Sequence, residues 1–293
     1  MRVIYIGSVE FSNRLLEKLI AMESEIVGVC TKETSLFNSD YCNLKPLCGL
    51  NSIPCHYVDD INSRETIDWI KELSPDIIFC FGWSALIKRE LLSIPSMGVI
   101  GYHPTNLPQN RGRHPLIWPV ILGMNTSSST FFFMNESADS GDILSQVDFE
   151  ILYEDDARSI YDRVAGIALD QLDDLYPKLI NRNYLIIKQD NSLSNTWRRR
   201  YKTDGLIDFR MTSKSIYDLV RGLSKPYVGA HLEYKGRDVS IWKVKEINNS
   251  QNNIEPGKVL EANTETFIVK TIDNAIEIID HDFDFLPRKG EYL

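Results

Sequence analysis

Apolar and polar positions alternate along the first half of the chain in two different rhythms. Residues 3–6 and 25–29 are short apolar runs with the length and composition of strands, and between them residues 11–21 place Leu15, Leu16, Leu19 and Ile20 at helical spacing. Residues 75–81 form an almost continuous apolar run, which suits a central parallel strand buried on both faces. Gly82-Trp83-Ser84 breaks that run, and residues 97–102 predict another buried strand that ends at His103. Helices are predicted over 63–73 and 115–122, and strands over 129–134 and 143–149. A long helix starts at Asp155 or Asp156 and carries Ile160, Val164, Ile167, Ala168, Leu172 and Leu175 on one face. That helix is expected to end near Pro177. Strands alternating with helices are the sequence form of an α/β domain with a Rossmann-like, mainly parallel sheet flanked by helices. Residues 31–50 show little periodicity and read as a long loop, more often functional than idle in a compact domain.

The rhythm changes after residue 182. A polar connector, Gln189-Asp-Asn-Ser-Leu-Ser-Asn-Thr196, leads to a helical pattern at 213–223 and then to short strand-like runs at 230–234, 238–244, 257–261, 267–271 and 275–279. These predict a small, OB-like barrel of five strands. The expected organisation is a catalytic domain over 1–182, a linker over 183–203 and a β domain over 204–293.

Charge and cysteine content narrow the function classes. With 41 acidic and 32 basic residues the net charge is −9, so bulk nucleic-acid binding is disfavoured. Cys30, Cys42, Cys48, Cys55 and Cys80 are odd in number and never form a CxxC pair, which fits a reducing cytoplasm better than a disulfide scaffold. The start lacks the apolar stretch of a signal peptide, and no run approaches about 20 apolar residues, so a soluble protein without a membrane partner is expected. The turn after the first strand has Gly7 alone of the three glycines of a dinucleotide fingerprint, which argues against a nicotinamide cofactor.

The chemistry-bearing stretch is Gly101-Tyr-His-Pro-Thr-Asn-Leu-Pro-Gln-Asn-Arg-Gly-Arg-His-Pro-Leu-Ile-Trp118, followed by Glu136-Ser-Ala-Asp-Ser-Gly-Asp-Ile143. A His, a Thr two positions on, Leu-Pro, Arg-Gly and Pro, then Asp-x-Gly-Asp-Ile, occur in that order, with His103 and Asp139 36 positions apart. The combination resembles the signature of the folate-dependent formyltransferases, a methionyl-tRNA formyltransferase-like family. Residues 204–209, 216–221 and 226–230 resemble the opening of the C-terminal barrel in the methionyl-tRNA and amino-sugar members. The resemblance implies N10-formyltetrahydrofolate as co-substrate, an amine as acceptor and no metal.

In such a reaction a neutral amine attacks a formyl carbon, an oxyanion develops, and the folate nitrogen leaves. An imidazole can donate to the oxyanion while a carboxylate orients the ring or takes the amine's proton. The resemblance assigns these roles to His103 and Asp139. It implies a pterin pocket along 75–87, with Phe81, Gly82, Trp83, Ala85 and Leu86 as cofactor residues, joined by Arg111, Gly112 and Asp142. Ser8, Phe11, Thr105 and Arg113 are the substrate-side candidates. The family commonly carries an Asn two positions before the His as a second oxyanion donor, whereas this chain has Gly101. Asn106 is the candidate replacement; a backbone amide or a water is the alternative.

Arg111 and Arg113 suit a carboxylate or phosphate, or a solvated loop. The basic run Trp197-Arg-Arg-Arg-Tyr-Lys202 reads either as a charged linker or as a phosphate-binding stretch. Among acceptors, the negative net charge and nearly neutral 31–50 stretch count against transfer RNA, and the barrel resemblance counts against glycinamide ribonucleotide. A nucleotide-linked amino sugar for bacterial surface glycans is the expected acceptor. A methionyl-tRNA formyltransferase, a formyltetrahydrofolate hydrolase and a non-catalytic folate- or nucleotide-binding homologue are the competing readings. A homodimer is compatible with the sequence, which is otherwise silent on oligomeric state.

Overall fold

In the computed structural model the described residues are 1–35 and 38–293; positions 36 and 37, inside the stretch expected to be loop, lie outside them. The elements in chain order are β1 (Val3–Ile6), α1 (Glu10–Ala21), β2 (Ile26–Thr31), α2 (Lys45–Leu50), β3 (Cys55–Tyr57), α3 (Arg64–Glu72), β4 (Ile77–Cys80), α4 (Arg89–Leu92), β5 (Val99–His103) and β6 (Arg111–Gly112). They continue with α5 (Ile117–Ile121), β7 (Thr126–Phe133), β8 (Ile143–Glu150), α6 (Ala157–Ile180) and β9 (Thr196–Trp197). The last are α7 (Ser213–Gly222), β10 (Ala230–Tyr234), β11 (Arg237–Ile247), β12 (Val259–Ala262), β13 (Phe267–Lys270) and β14 (Ala275–His281). They form two compact units: Met1–Pro115 with Ser127–Phe149 and Asp162–Trp197, and Leu116–Thr126 with Glu150–Tyr161 and Arg198–Leu293.

The first unit is built on a seven-stranded sheet in the order β3-β2-β1-β4-β5-β7-β8. Its first five strands pair in parallel, and β7 runs antiparallel to β5. Every residue of β1 and β4 is buried, as their uninterrupted apolar runs require. The chain leaves β1 for β2 and β3, then returns to place β4 on the other side of β1, so the strand order reverses between β1 and β4. Ligands of open α/β sheets bind beyond the carboxyl ends of the strands at such a point. Gly7, Gly82 and His103 all follow or end those strands.

Helix starts are set by local chemistry. The Ser63 hydroxyl accepts from the Thr66 N–H at 3.2 Å and caps α3. Two features depart from the sequence reading. Residues 45–50 of the expected loop form α2, a helix too short to show a period, with a proline in its first turn. The long helix α6 continues through Pro177 to Ile180: the proline removes only its own N–H bond, and Asn181 N–H still reaches the Pro177 carbonyl at 3.1 Å.

The second unit carries a five-stranded antiparallel sheet in the order β10-β11-β14-β13-β12. Ile216, Leu219 and Val220 of α7 share one core with Ile117, Ile241, Phe267 and Ile276. The Thr212 hydroxyl caps α7 by accepting from Ser215 N–H at 3.1 Å. Trp118 lies under the guanidiniums of Arg198 and Arg200, 5.5 and 4.8 Å from its ring centre. Arg198 also forks onto the Asp204 carboxylate at 2.5 and 2.7 Å. Two arginines of the basic run therefore have internal partners.

Candidate active site

His103 is the last residue of β5, paired with Thr130 of β7, and is only 4% exposed. The loop after it folds back on the ring. Asn110 adopts a left-handed φ of 63°, a conformation Asn tolerates better than most residues, and this turns its carbonyl inward. That carbonyl receives both His103 Nε2 at 2.9 Å and the Thr105 hydroxyl at 3.1 Å. A carbonyl can only accept, so Nε2 carries the hydrogen, and in the neutral ring Nδ1 is the lone-pair nitrogen. Nδ1 faces Asp139, with Oδ2 at 3.6 Å. This exceeds direct hydrogen-bond length, so the two groups face each other without sharing a proton directly.

Asp139 is held from both ends. Its Oδ2 accepts from Gly112 N–H at 2.8 Å, and its carbonyl accepts from the Gln189 carboxamide at 2.9 Å. Its φ is 53°, a left-handed geometry that surrounding contacts must sustain. Two residues on, a Cβ on Gly141 would lie 1.6 Å from the Phe133 carbonyl oxygen, so the Asp-Ser-Gly sequence is dictated by close approach of the loop to β7. Gly112 has φ 102°, and a Cβ there would meet the Trp197 carbonyl at 2.4 Å.

The other expected residues fall into three groups. Thr105, Arg111 and Gly112 sit in the His103 loop, and Asp142 follows Gly141, its carbonyl accepting from Phe133 N–H at 2.8 Å. Arg111 is buried, and its guanidinium is taken up by Gln189 Oε1 at 3.1 and 2.6 Å and Asn191 Oδ1 at 2.8 Å. Phe81, Gly82, Trp83, Ala85 and Leu86 follow β4. Phe81 is a core ring, edge-on to Tyr5 and Phe131, whereas Ala85 and Leu86 are exposed. Gly82 has φ 69°, and a Cβ there would meet Val9 Cγ2 at 2.3 Å and Ser12 Oγ at 2.5 Å. Trp83 carries Lys32 over its ring at 5.3 Å. Exposed Arg113 ties the two loops by donating to the Ser84 carbonyl at 2.8 Å. At the first turn, Ser8 is buried, and Phe11 is a packing residue stacked on Tyr102 with ring centres 4.5 Å apart.

The position of the second donor takes its own shape here. A Cβ on Gly101 would meet Met134 Cγ at 2.8 Å and the Phe132 ring at 3.0 Å, so the space an Asn side chain would use is filled. Asn106 is exposed. Asn110 is 8% exposed, its backbone N–H is held by Asn195 Oδ1 at 2.8 Å, and its carboxamide has no protein partner among the described residues. Gln189, Asn191 and Asn195, read from the sequence only as a polar connector, are thus part of the site's framework. Their signal was the density of Gln and Asn, which can both donate and accept, where a solvated linker would carry lysine and glutamate.

Among the described residues there is no group of three or more side chains able to hold a metal ion, and no helix is long and apolar enough to cross a membrane. An imidazole and a carboxylate beyond the carboxyl ends of an α/β sheet are suited to moving a proton during transfer of a group. The chain belongs to the formyl transferase family, whose family model matches residues 1–172 and whose C-terminal domain model matches residues 200–284. It is 30% identical to the bifunctional polymyxin resistance protein ArnA of Wigglesworthia glossinidia brevipalpis over 97% of this chain, which spans 43% of that protein. It is also 30% identical to a methionyl-tRNA formyltransferase of Geotalea daltonii, covering 100% of this chain and 95% of that one. Its fold is shared with WlaRD, a sugar 3N-formyl transferase crystallised in the presence of dTDP and 5-N-formyl-THF: TM-score 0.72 at 18% identity, covering 98% and 99% of the two chains.

Proposed function

We propose that this protein moves the formyl group of N10-formyltetrahydrofolate to the amine of a nucleotide-linked amino sugar, in the cytoplasmic phase of bacterial surface glycan synthesis. The observation that carries the reading is the ring of His103, hydrogen-bonded on one nitrogen and open on the other toward Asp139. The folate supplies a formyl carbon activated by its bond to a nitrogen that can leave. Trp83, half-buried in the turn after β4, is the aromatic candidate on that side. Gly82, Ala85, Leu86, Gly112 and Asp142 are the remaining cofactor-side residues of this reading and Ser8, Thr105 and Arg113 the acceptor-side ones, while Phe81 and Phe11 support the site as packing rings and Arg111 through Gln189 and Asn191.

The residues divide the proton work. Asp139 and the lone pair on His103 Nδ1 lie together, so a proton released by the attacking amine has a carboxylate and an imidazole to receive it. Once Nδ1 is protonated the ring donates to the developing oxyanion, and the negative carboxylate stabilises the imidazolium. The same proton is then available to the departing nitrogen. In this reading a carboxamide on the same loop is the second donor to the oxyanion, and Asn110, which is buried, takes precedence over the exposed Asn106.

The sugar nucleotide is favoured by the net charge of −9 and by the internal pairing of Arg198 and Arg200, which leaves less free basic surface for a polyanion. Initiator methionyl-tRNA is the competing acceptor, because similarity to methionyl-tRNA formyltransferases runs the full length of the chain. A panel assay decides between them. Tetrahydrofolate release is followed with nucleotide-linked amino sugars, with initiator methionyl-tRNA, and with neither. Release that needs the sugar supports the proposal; release with tRNA alone, or without an acceptor, rejects it.

A further inference from the structure

We infer that Gln189 is a positioning residue that holds Asp139 in register with His103, and that residues 187–197 act as a strap fastening both groups. The carboxamide of Gln189 is saturated. Its two N–H groups go to the carbonyls of Asp139 at 2.9 Å and Gly141 at 2.6 Å, and its oxygen accepts twice from Arg111, at 3.1 and 2.6 Å. Two carbonyls on one side and a guanidinium on the other demand a group with two donors and an acceptor, and among side chains of that length only glutamine has them. Glutamate loses both donors, and an aliphatic side chain loses everything.

The strap reaches the second catalytic group as well. Asn195 Oδ1 takes the Asn110 N–H at 2.8 Å, and the Asn110 carbonyl in turn holds His103 Nε2. Immediately after Asn195, β9 pairs with β6, aligning Gly112 with Trp197, and Gly112 N–H binds the Asp139 carboxylate. The far end is fastened by reciprocal bonds between Ile187 and Ile143 at 2.8 and 2.9 Å. The imidazole at the end of β5 and the carboxylate on the loop between β7 and β8 lie 36 positions apart, and one stretch of chain ties both down. Asp139 has a left-handed φ of 53°, and the hold of Gln189 on the carbonyls of Asp139 and Gly141 sets where the carboxylate points.

The test uses the full-length protein and rests on the formyl-transfer reading only for its kinetic arm. Gln189→Leu is expected to lower kcat by roughly 30- to 100-fold, the scale of a group displaced by about an ångström, while KM for acceptor and folate stays within about threefold. Gln189→Glu keeps an acceptor for Arg111 but loses both donors, and an intermediate loss of roughly 10-fold is expected. In an Asp139→Asn background the cost of Gln189→Leu should disappear, because Gln189 acts through that carboxylate. Hydrogen exchange of residues 136–142 supplies the arm that needs no turnover: protection should fall in both variants. A folded Gln189→Leu protein within twofold of parental kcat, a loss that adds fully to Asp139→Asn, or unchanged exchange protection would each overturn the inference. If Gln189→Leu does not fold, Gln189→Glu is judged by the same three readouts. A parent protein that formylates no acceptor would sink the functional reading, and exchange alone would then decide this one.

Discussion

Asp139 Oδ2 stands 3.6 Å from His103 Nδ1, on the one ring nitrogen that no backbone group occupies. This arrangement gives each of the two residues a role that can be measured. His103→Ala removes the proposed proton carrier, and a fall in kcat of roughly 100- to 10,000-fold is expected. Asp139→Asn keeps the acceptor for Gly112 N–H but removes the charge that stabilises imidazolium, so a loss of similar order is expected with little change in folding stability. Steady-state rates with the best acceptor, alongside thermal melts, check both. Full activity in the folded His103→Ala protein would reject the mechanism.

Restoring the family's usual Asn at position 101 is expected to fail. Met134 Cγ and the buried Phe132 ring occupy the direction of the missing side chain at 2.8 and 3.0 Å. Gly101→Asn therefore overpacks the core, costing about 1 to 3 kcal/mol, and does not raise kcat. Urea unfolding read beside initial rates tests this, and a gain in turnover without destabilisation would contradict it.

Asn110 and Asn106 give opposite expectations. Asn110 is buried, its backbone holds the His103 ring, and its carboxamide has no protein partner among the described residues; Asn106 faces solvent. Asn110→Ala should lower kcat by roughly 100-fold or more, the scale of one lost oxyanion donor, whereas Asn106→Ala should change it by less than about threefold. Because Asn110 also holds a left-handed φ, Asn110→Gly separates the carboxamide from the backbone geometry. A glycine variant as active as the parent would return the donor role to another group.

How much of this was legible in the sequence follows from where the information lies. Strands β1 and β4 are short uninterrupted apolar runs, and their burial is written in composition alone. The five C-terminal strands were legible as short runs between turn residues, and α7 from its helical spacing. Helix α2 and strands β3, β6 and β9 are too short to show a period, and their existence depends on partners far along the chain. Family membership rested on a motif whose elements are local, the Leu-Pro, Arg-Gly and Asp-x-Gly pieces, and the structure supplies physical reasons for Gly112 and Gly141. The strap was illegible: Gln189 gains meaning only from carbonyls 48 and 50 positions away, a relation no window of sequence displays.

Acid should weaken one pairing in the second unit in a predictable window. The Asp204 carboxyl is held below its ordinary value of 3.8, first by the fork from Arg198 and also by Tyr201 N–H. A depressed folded pKa means that the carboxylate's contribution to stability is fully present above the unfolded value and is lost as pH falls through the folded one. The size is modest: Asp204 is 17% exposed but Arg198 is 59% exposed, so solvent screening discounts the pair heavily. Asp204→Asn should therefore be less stable than the parent by a constant amount from neutral pH down to about pH 5. Below about pH 4 the difference should shrink, because the parent's carboxylate is protonated on unfolding and its advantage is being titrated away. Denaturant melts of both proteins at pH 7, 5, 3.5 and 2.5 measure this difference, and a difference that stays constant to pH 2.5 would show that the Arg198–Asp204 pair contributes nothing through charge.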